Sequence, residues 1–112
     1  MKIELAPSET VIREGGANLQ RGWEAVGGRL FLTNTRLAFA SHAFNVQTGP
    51  TEIPLAAIRQ VTPCWTKFLG FLPIAPNSVS VSTDQGELRF VVHGRSEWAA
   101  AIQLARAATG LS

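Results

Sequence analysis

Few side chains in this sequence can do covalent or acid–base chemistry, and they are not spaced to do it together. Histidine is the side chain that titrates near neutral pH when unperturbed, and the chain holds two, His42 and His93. His93 directly follows an alternating run and precedes Gly94, the pattern of a strand-to-helix turn, where a structural or solvent-facing role is expected. His42 closes another short run before Phe44 and Asn45, a place suited to a turn-stabilising hydrogen bond. The single cysteine, Cys64, excludes an intramolecular disulfide and fits a reducing compartment. No short spacing joins it to either histidine, so no metal site is expected. No serine or cysteine stands in a nucleophile elbow, and Gly15-Gly16 and Gly27-Gly28 lack the spacing and lysine of a phosphate-cradling loop. Catalytic residues, a cofactor and a small-molecule substrate are therefore not expected. The chain reads as a non-enzyme.

Binding chemistry has more to work with. Arg13, Arg21, Arg29 and Arg36 fall on the first strand-like runs or their loops, where they could converge at one rim and meet lipid headgroup phosphates. Glu14 and Glu24 lie beside the first two, which dilutes that charge. The second candidate is the run Lys67-Phe68-Leu69-Gly70-Phe71-Leu72-Pro73-Ile74, large apolar residues crowded into a stretch that the strand pattern leaves as a connection. Exposed, Lys67, Phe68, Leu69, Phe71 and Leu72 would form a surface for a membrane or a protein partner. Otherwise the run folds back over the core or extends the strand through Trp65. The adjoining stretch Arg59 to Trp65 contains Pro63, which cannot donate to a ladder and marks an edge strand or bulge. Such an edge could pair with a strand of another chain. Nucleic acid is not an expected partner: ten Lys and Arg against eight Asp and Glu give only +2, and the basic residues are scattered.

The elements that must position these residues follow from composition and periodicity. With 112 residues, 46% of them hydrophobic and 16% charged, the chain is expected to form one packed domain over residues 1–112. Neither a secretory leader nor a membrane span is expected from the apolar runs, so the expected location is cytoplasmic, peripheral to the membrane if either candidate surface binds lipid. Gly and Pro punctuate many short strands. These are Thr10 to Arg13, ended by Gly15-Gly16; Gly22 to Val26; Arg29 to Thr33 after a Gly27-Gly28 turn; and Arg36 to Ala40. Leu30, Leu32, Leu37 and Phe39 then share one face of a hairpin, because side chains alternate with period two. Glu52 to Leu55 and Ile58 to Trp65 follow, and the clearest pair is Ser78–Thr83 with Glu87–Val92, joined by Asp84-Gln85-Gly86 as a three-residue loop. From Glu97 to Ala108 the period changes to that of a helix, with Trp98, Ile102, Ala105 and Thr109 on one stripe, Ser96 as N-cap and Gly110 past the end. Trp98 among small alanines suggests a plug packed closely on a sheet.

Strands followed by one amphipathic C-terminal helix outline a pleckstrin-homology-like barrel, and local strings narrow that outline. Glu14-Gly15-Gly16-Ala17-Asn18 and Gly28-Arg29-Leu30-Phe31-Leu32-Thr33-Asn34-Thr35-Arg36-Leu37-Ala38-Phe39 resemble the GRAM domain family. So do Ser41-His42-Ala43-Phe44-Asn45, Ile53-Pro54-Leu55-Ala56-Ala57-Ile58, Phe90-Val91-Val92 and Trp98, in the expected order over roughly Glu9 to Ala108. The resemblance implies a mainly β fold: two near-orthogonal antiparallel sheets forming a barrel, capped by the helix. It also implies association with membrane lipids or protein partners, without fixing which. Phosphoinositide-binding pleckstrin-homology domains carry a denser basic cluster at the first hairpin than Arg13 and Arg21 provide. The expected function is a non-catalytic binding or scaffolding module for protein–protein contact or self-association. The alternative is a peripheral lipid-binding module that uses basic residues and the apolar loop.

Overall fold

The computed structural model describes residues 3–21, 24–41, 51–68 and 72–109; of residues 21, 24, 65–68 and 72–77 only the backbone is described. Its strands are β1 (Val11–Arg21), β2 (Glu24–Thr33), β3 (Arg36–Ser41), β4 (Thr51–Pro54), β5 (Ile58–Phe68), β6 (Leu72–Thr83) and β7 (Gly86–Val92). A 3-10 turn, Leu55–Ala57, joins β4 to β5, and the helix α1 (Arg95–Ala108) follows β7.

The expected barrel of two near-orthogonal sheets is not found. All seven strands belong to one antiparallel sheet in the order β4-β3-β2-β1-β7-β6-β5, capped by α1. The reason lies in β1. Its residues Ala17 to Gln20 pair with Gly28 to Ala25 of β2 on one side and with Val92 to Arg89 of β7 on the other. One strand thus stitches both halves into a continuous ladder, and β4 and β5 end it with no ladder between them among the described residues.

The glycine pairs do not punctuate this sheet as expected. β1 runs straight through Gly15-Gly16 to Arg21, and Gly27-Gly28 lies inside β2. Gly28 instead permits close approach, while Gly15 stands at ordinary contact distance from α1. A Cβ on Gly28 would stand 2.2 Å from the Ala40 carbonyl oxygen, and one on Gly15 would meet the Trp98 ring at 3.6 Å. The β6–β7 link is also tighter than expected. Thr83 pairs with Gly86 across only Asp84 and Gln85, and Gly86 adopts φ 122°, which an L side chain resists.

Alternation delivers the core as the sequence predicts. Leu30, Leu32, Leu37 and Phe39 are buried on one face with Leu19, Val79, Val81 and Phe90, and α1 covers them with Trp98, Ala99, Ile102 and Ala105. Phe39 and Phe90 meet with ring centroids 5.8 Å apart, linking the two halves through side chains as β1 links them through backbone. Thr109, the fourth member of the helical stripe, is exposed. The helix starts two residues earlier than Ser96 as N-cap implies. Gly94 is its N-cap, left-handed at φ 79° and ψ 61°, with no side-chain cap, while Glu97 occupies the first turn.

Candidate functional site

Of the four arginines proposed to converge, three have described side chains, and they do not meet at one point. Arg29 and Arg36 project from the face of the sheet opposite the core, since Leu30, Leu32, Leu37 and Phe39 alternate with them. Arg29 pairs across the ladder with Ala40, and Arg36 stands four residues before Ala40 on β3, roughly 13 Å away at ~3.3 Å per residue. Arg13 lies on the other face, its guanidinium carbon 5.2 Å from the Trp98 ring centroid. The side chain of Arg21 is outside the described residues.

Two of the three are also engaged by carboxylates. Arg29 Nε donates to Glu14 Oε2 at 2.9 Å, a pair set up by the neighbouring rung Gly16↔Arg29. Arg36, 16% exposed, is held at 2.7 Å from Glu9 and 2.9 Å from Glu52. Around Glu9 the contacts are dense. Its Oε2 accepts Arg36 Nε at 2.7 Å and the hydroxyls of Thr33 and Thr35 at 2.6 and 2.9 Å. Its Oε1 accepts the Ala6 N–H at 3.0 Å and Arg36 Nη2 at 3.1 Å. The Arg36 guanidinium, chiefly, holds the Glu9 carboxyl at about 2, outweighing the burial that would raise it. Asn34 completes this corner: its amide accepts the Thr10 N–H and donates to the Ser8 carbonyl. The cluster pins the segment before β1 to the β2–β3 turn.

The apolar run occupies a different place. The β6–β7 ladder reaches Ser78↔Val91 at that end, whereas the β5–β6 ladder continues through Cys64↔Ser78, Thr66↔Ala75 and Lys67↔Pro73 to Phe68↔Leu72. Beyond Cys64, β5 and β6 therefore pair only with each other among the described residues. They form a two-stranded ribbon that carries the chain roughly 13 Å past the last β7 rung, at ~3.3 Å per residue over four residues. The strand does extend through Trp65, to Phe68. Leu69, Gly70 and Phe71 lie outside the described residues, as do the side chains of Lys67, Phe68, Leu72 and Ile74.

At the root of the ribbon stands a residue the sequence reading passed over. Arg95, the first helical residue, donates from Nη1 to the Cys64 carbonyl at 3.0 Å. At the other end of α1, Arg106 Nη2 donates to the Arg59 carbonyl at 3.3 Å. The helix thus lays two guanidinium groups on β5, the strand predicted to be an edge, and among the described residues β5 does pair on one side only. No sequence signal marks this role, because it depends on how α1 lies across the sheet.

The remaining chemistry is sparse. His93 is exposed between β7 and Gly94, and His42 lies outside the described residues. Cys64 is a half-exposed free thiol. Among the described residues no group of three or more His, Cys, Asp or Glu could hold a metal ion, and no helix is long and apolar enough to cross a membrane. The described residues also line open hollows. One of about 330 Å³ lies beside Gly16, Asn18 and His93, and one of about 570 Å³ lies between β4 and the β6–β7 turn.

Comparisons with known proteins agree on the fold. The chain is similar to the N-terminal PH domain of Vps36, with TM-score 0.73 and 17% identity over 97% of this chain and 87% of that one. It is similar to the N-terminal PH domain of human ARAP2, with TM-score 0.69 and 17% identity over 89% and 83%. The Slm1 PH domain, in a crystal structure with phosphoserine, gives TM-score 0.64 and 15% identity over 87% and 96%. No curated protein sequence matches the chain. The model of the GRAM domain matches residues 1–104, nearly the whole sequence. With strands, capping helix and family strings in agreement, the chain belongs to the GRAM domain family and is a non-catalytic, PH-like binding module.

Proposed function

We propose that this module is a peripheral membrane-binding domain that engages lipid through the end of the β5–β6 hairpin. The observation that carries this reading is the ribbon. Its strands pair beyond the last β7 rung, and the residues that close it are Lys67-Phe68-Leu69-Gly70-Phe71-Leu72. A short apolar turn at the end of a hairpin can enter the interfacial region of a bilayer, and a flanking lysine then meets phosphates. The phosphoserine held by the Slm1 domain is a phosphorylated ligand on a related fold, which is compatible with lipid headgroups as the target class.

Contact with a protein partner through the same hairpin is the second reading. Self-association by strand addition has less support, because Arg95 and Arg106 already bond two β5 carbonyls. The test is co-sedimentation with anionic vesicles at low salt, where electrostatic attraction is greatest. The parent chain is expected to pellet, and a Phe68→Ser/Phe71→Ser variant to lose at least tenfold in binding with an unchanged melting temperature. No pelleting by the parent, or a variant that unfolds because these rings are core, overturns the reading.

A further inference from the structure

Gly16 is a glycine that the fold does not require. It lies inside β1, its φ is not left-handed, and a Cβ added to it would meet nothing within 4 Å. Gly28 differs, since an added Cβ there would stand 2.2 Å from the Ala40 carbonyl oxygen. A glycine inside a strand weakens the ladder. Where nothing within the chain claims its space, it marks a place for close approach from outside. The space is present: a hollow of about 330 Å³ lies beside Gly16, with Asn18, Val91 and His93 around it.

The position of the hollow in the sheet sets its chemistry. Ala17 and Leu19 belong to the core, so Gly16 and Asn18 face the other side of β1, as Val91 does between Phe90 and Val92 on β7. The β1–β7 ladder ends at Ala17↔Val92, which leaves Gly16 and His93 side by side just past the last rung. At Gly16 the floor is therefore bare backbone, and Val91 supplies an apolar wall. Asn18 and His93 are exposed, and neither has a hydrogen-bond partner among the described residues. Glu14 and Arg29, beside Gly16 along and across the ladder, are held to each other at 2.9 Å, so they offer little to an outside ion. A bare floor, an apolar wall and free polar groups at the rim match a flat ring with a polar edge. Tyrosine and tryptophan are side chains of that kind, and they anchor protein interfaces. The volume is at the lower limit for a small-molecule pocket and suits one such side chain.

We infer that this hollow is a docking site for an aromatic side chain, tyrosine or tryptophan, presented by a protein partner. It is separate from the hairpin end of the membrane reading, because Val91 pairs with Ser78 at the root of the ribbon and the ribbon runs on from there. Occupying one surface leaves the other free.

The experiment titrates the nitrogen-15-labelled full chain with N-acetyl-tryptophanamide and N-acetyl-tyrosinamide and follows the backbone amide shifts. N-acetyl-leucinamide and phosphoserine serve as contrasts. The aromatic probes should shift Gly16, Asn18, Val91 and His93 saturably, with Kd on the order of 1 mM for a single side chain. The leucine probe should bind at least fivefold more weakly. Gly16→Val should weaken the aromatic probes at least tenfold by filling the floor. Its melting temperature should equal or exceed the parent's, because valine suits a strand and its Cβ meets nothing. Asn18→Ala/His93→Ala should lose about fivefold at unchanged stability. Phe68→Ser/Phe71→Ser should bind the probes as the parent does. The inference is overturned if the aromatic probes leave these amides unmoved, if leucine or phosphoserine binds as well, or if Gly16→Val keeps the parent's affinity. It is also overturned if the hairpin variant loses the probes, or if Gly16→Val melts clearly lower, which would make the glycine a requirement of the fold. Failure of the parent to bind vesicles bears on the membrane reading alone, and failure of the probes bears on this site alone.

Discussion

At Glu9 a single carboxylate accepts five hydrogen bonds, from Ala6, Thr33, Thr35 and twice from Arg36. A carboxyl held at about 2 in the fold, against its ordinary 4.5, stabilises the fold above the ordinary value and loses that stabilisation as pH falls between the two. The contribution is on the order of 3 kcal/mol. Glu9→Gln keeps the shape but removes the charge that Arg36 faces. Urea unfolding at pH 7 should show a loss of about 2–3 kcal/mol, and the variant should have a flatter stability profile between pH 4.5 and pH 2. An unchanged acid profile would mean that another carboxylate governs acid unfolding. The same corner marks a limit of sequence reading. Arg36 reads as a lipid contact from its spacing alone, because a partner 27 positions away becomes visible only when the β2–β3 turn brings the segment before β1 alongside. Arg29 is a milder case: Glu14 becomes its neighbour once the β1–β2 register is known.

Elements were more legible than residues' partners, and the errors have one source. Alternation in Arg29–Thr33, Arg36–Ala40, Ser78–Thr83 and Glu87–Val92 places Leu30, Leu32, Leu37, Phe39, Val79, Val81 and Phe90 in the core, but it does not foretell that Phe31, Thr33, Ala38 and Ala40 on the opposite face are buried as well. Glycine is ambiguous by comparison. It ends a strand when the chain turns, but it also sits inside a strand where another group comes too close for a side chain, as at Gly28 against the Ala40 carbonyl. Only the packing partner decides between the two. Trp98 shows the same dependence favourably, for its large ring among alanines predicts a plug and the ring packs over Gly15 of β1. The indole is 2% exposed and ties α1 to β1. Trp98→Ala should therefore cost about 3–5 kcal/mol in chemical unfolding. A loss below about 1 kcal/mol would show that α1 is held chiefly by Ile102 and Ala105.

For the whole molecule, periodicity states which face of each strand is buried but not where a sheet ends, and for that reason the barrel expectation fails while the core expectation holds. An unclosed sheet has two edges, and an edge is a template for another chain. β4 has four residues. Leu55 donates its N–H to the Thr35 carbonyl, so alternation turns Ile53 and Thr51 toward β3, and Glu52 and Pro54 outward. Pro54 has no N–H to offer. β5 is longer and bends at shifts in register near Ile58, Cys64 and Thr66. It also contains Pro63, and the guanidinium groups of Arg95 and Arg106 bond the carbonyls of Cys64 and Arg59. These features together blunt strand addition, so light scattering should find the chain monomeric at tens to hundreds of micromolar. Arg95→Ala/Arg106→Ala frees both carbonyls without touching the core, and it should associate in a concentration-dependent way where the parent does not. A parent that dimerises would restore self-association as the favoured role of β5. A double variant that stays monomeric at the same concentrations would show that the bends and Pro63 protect the edge on their own.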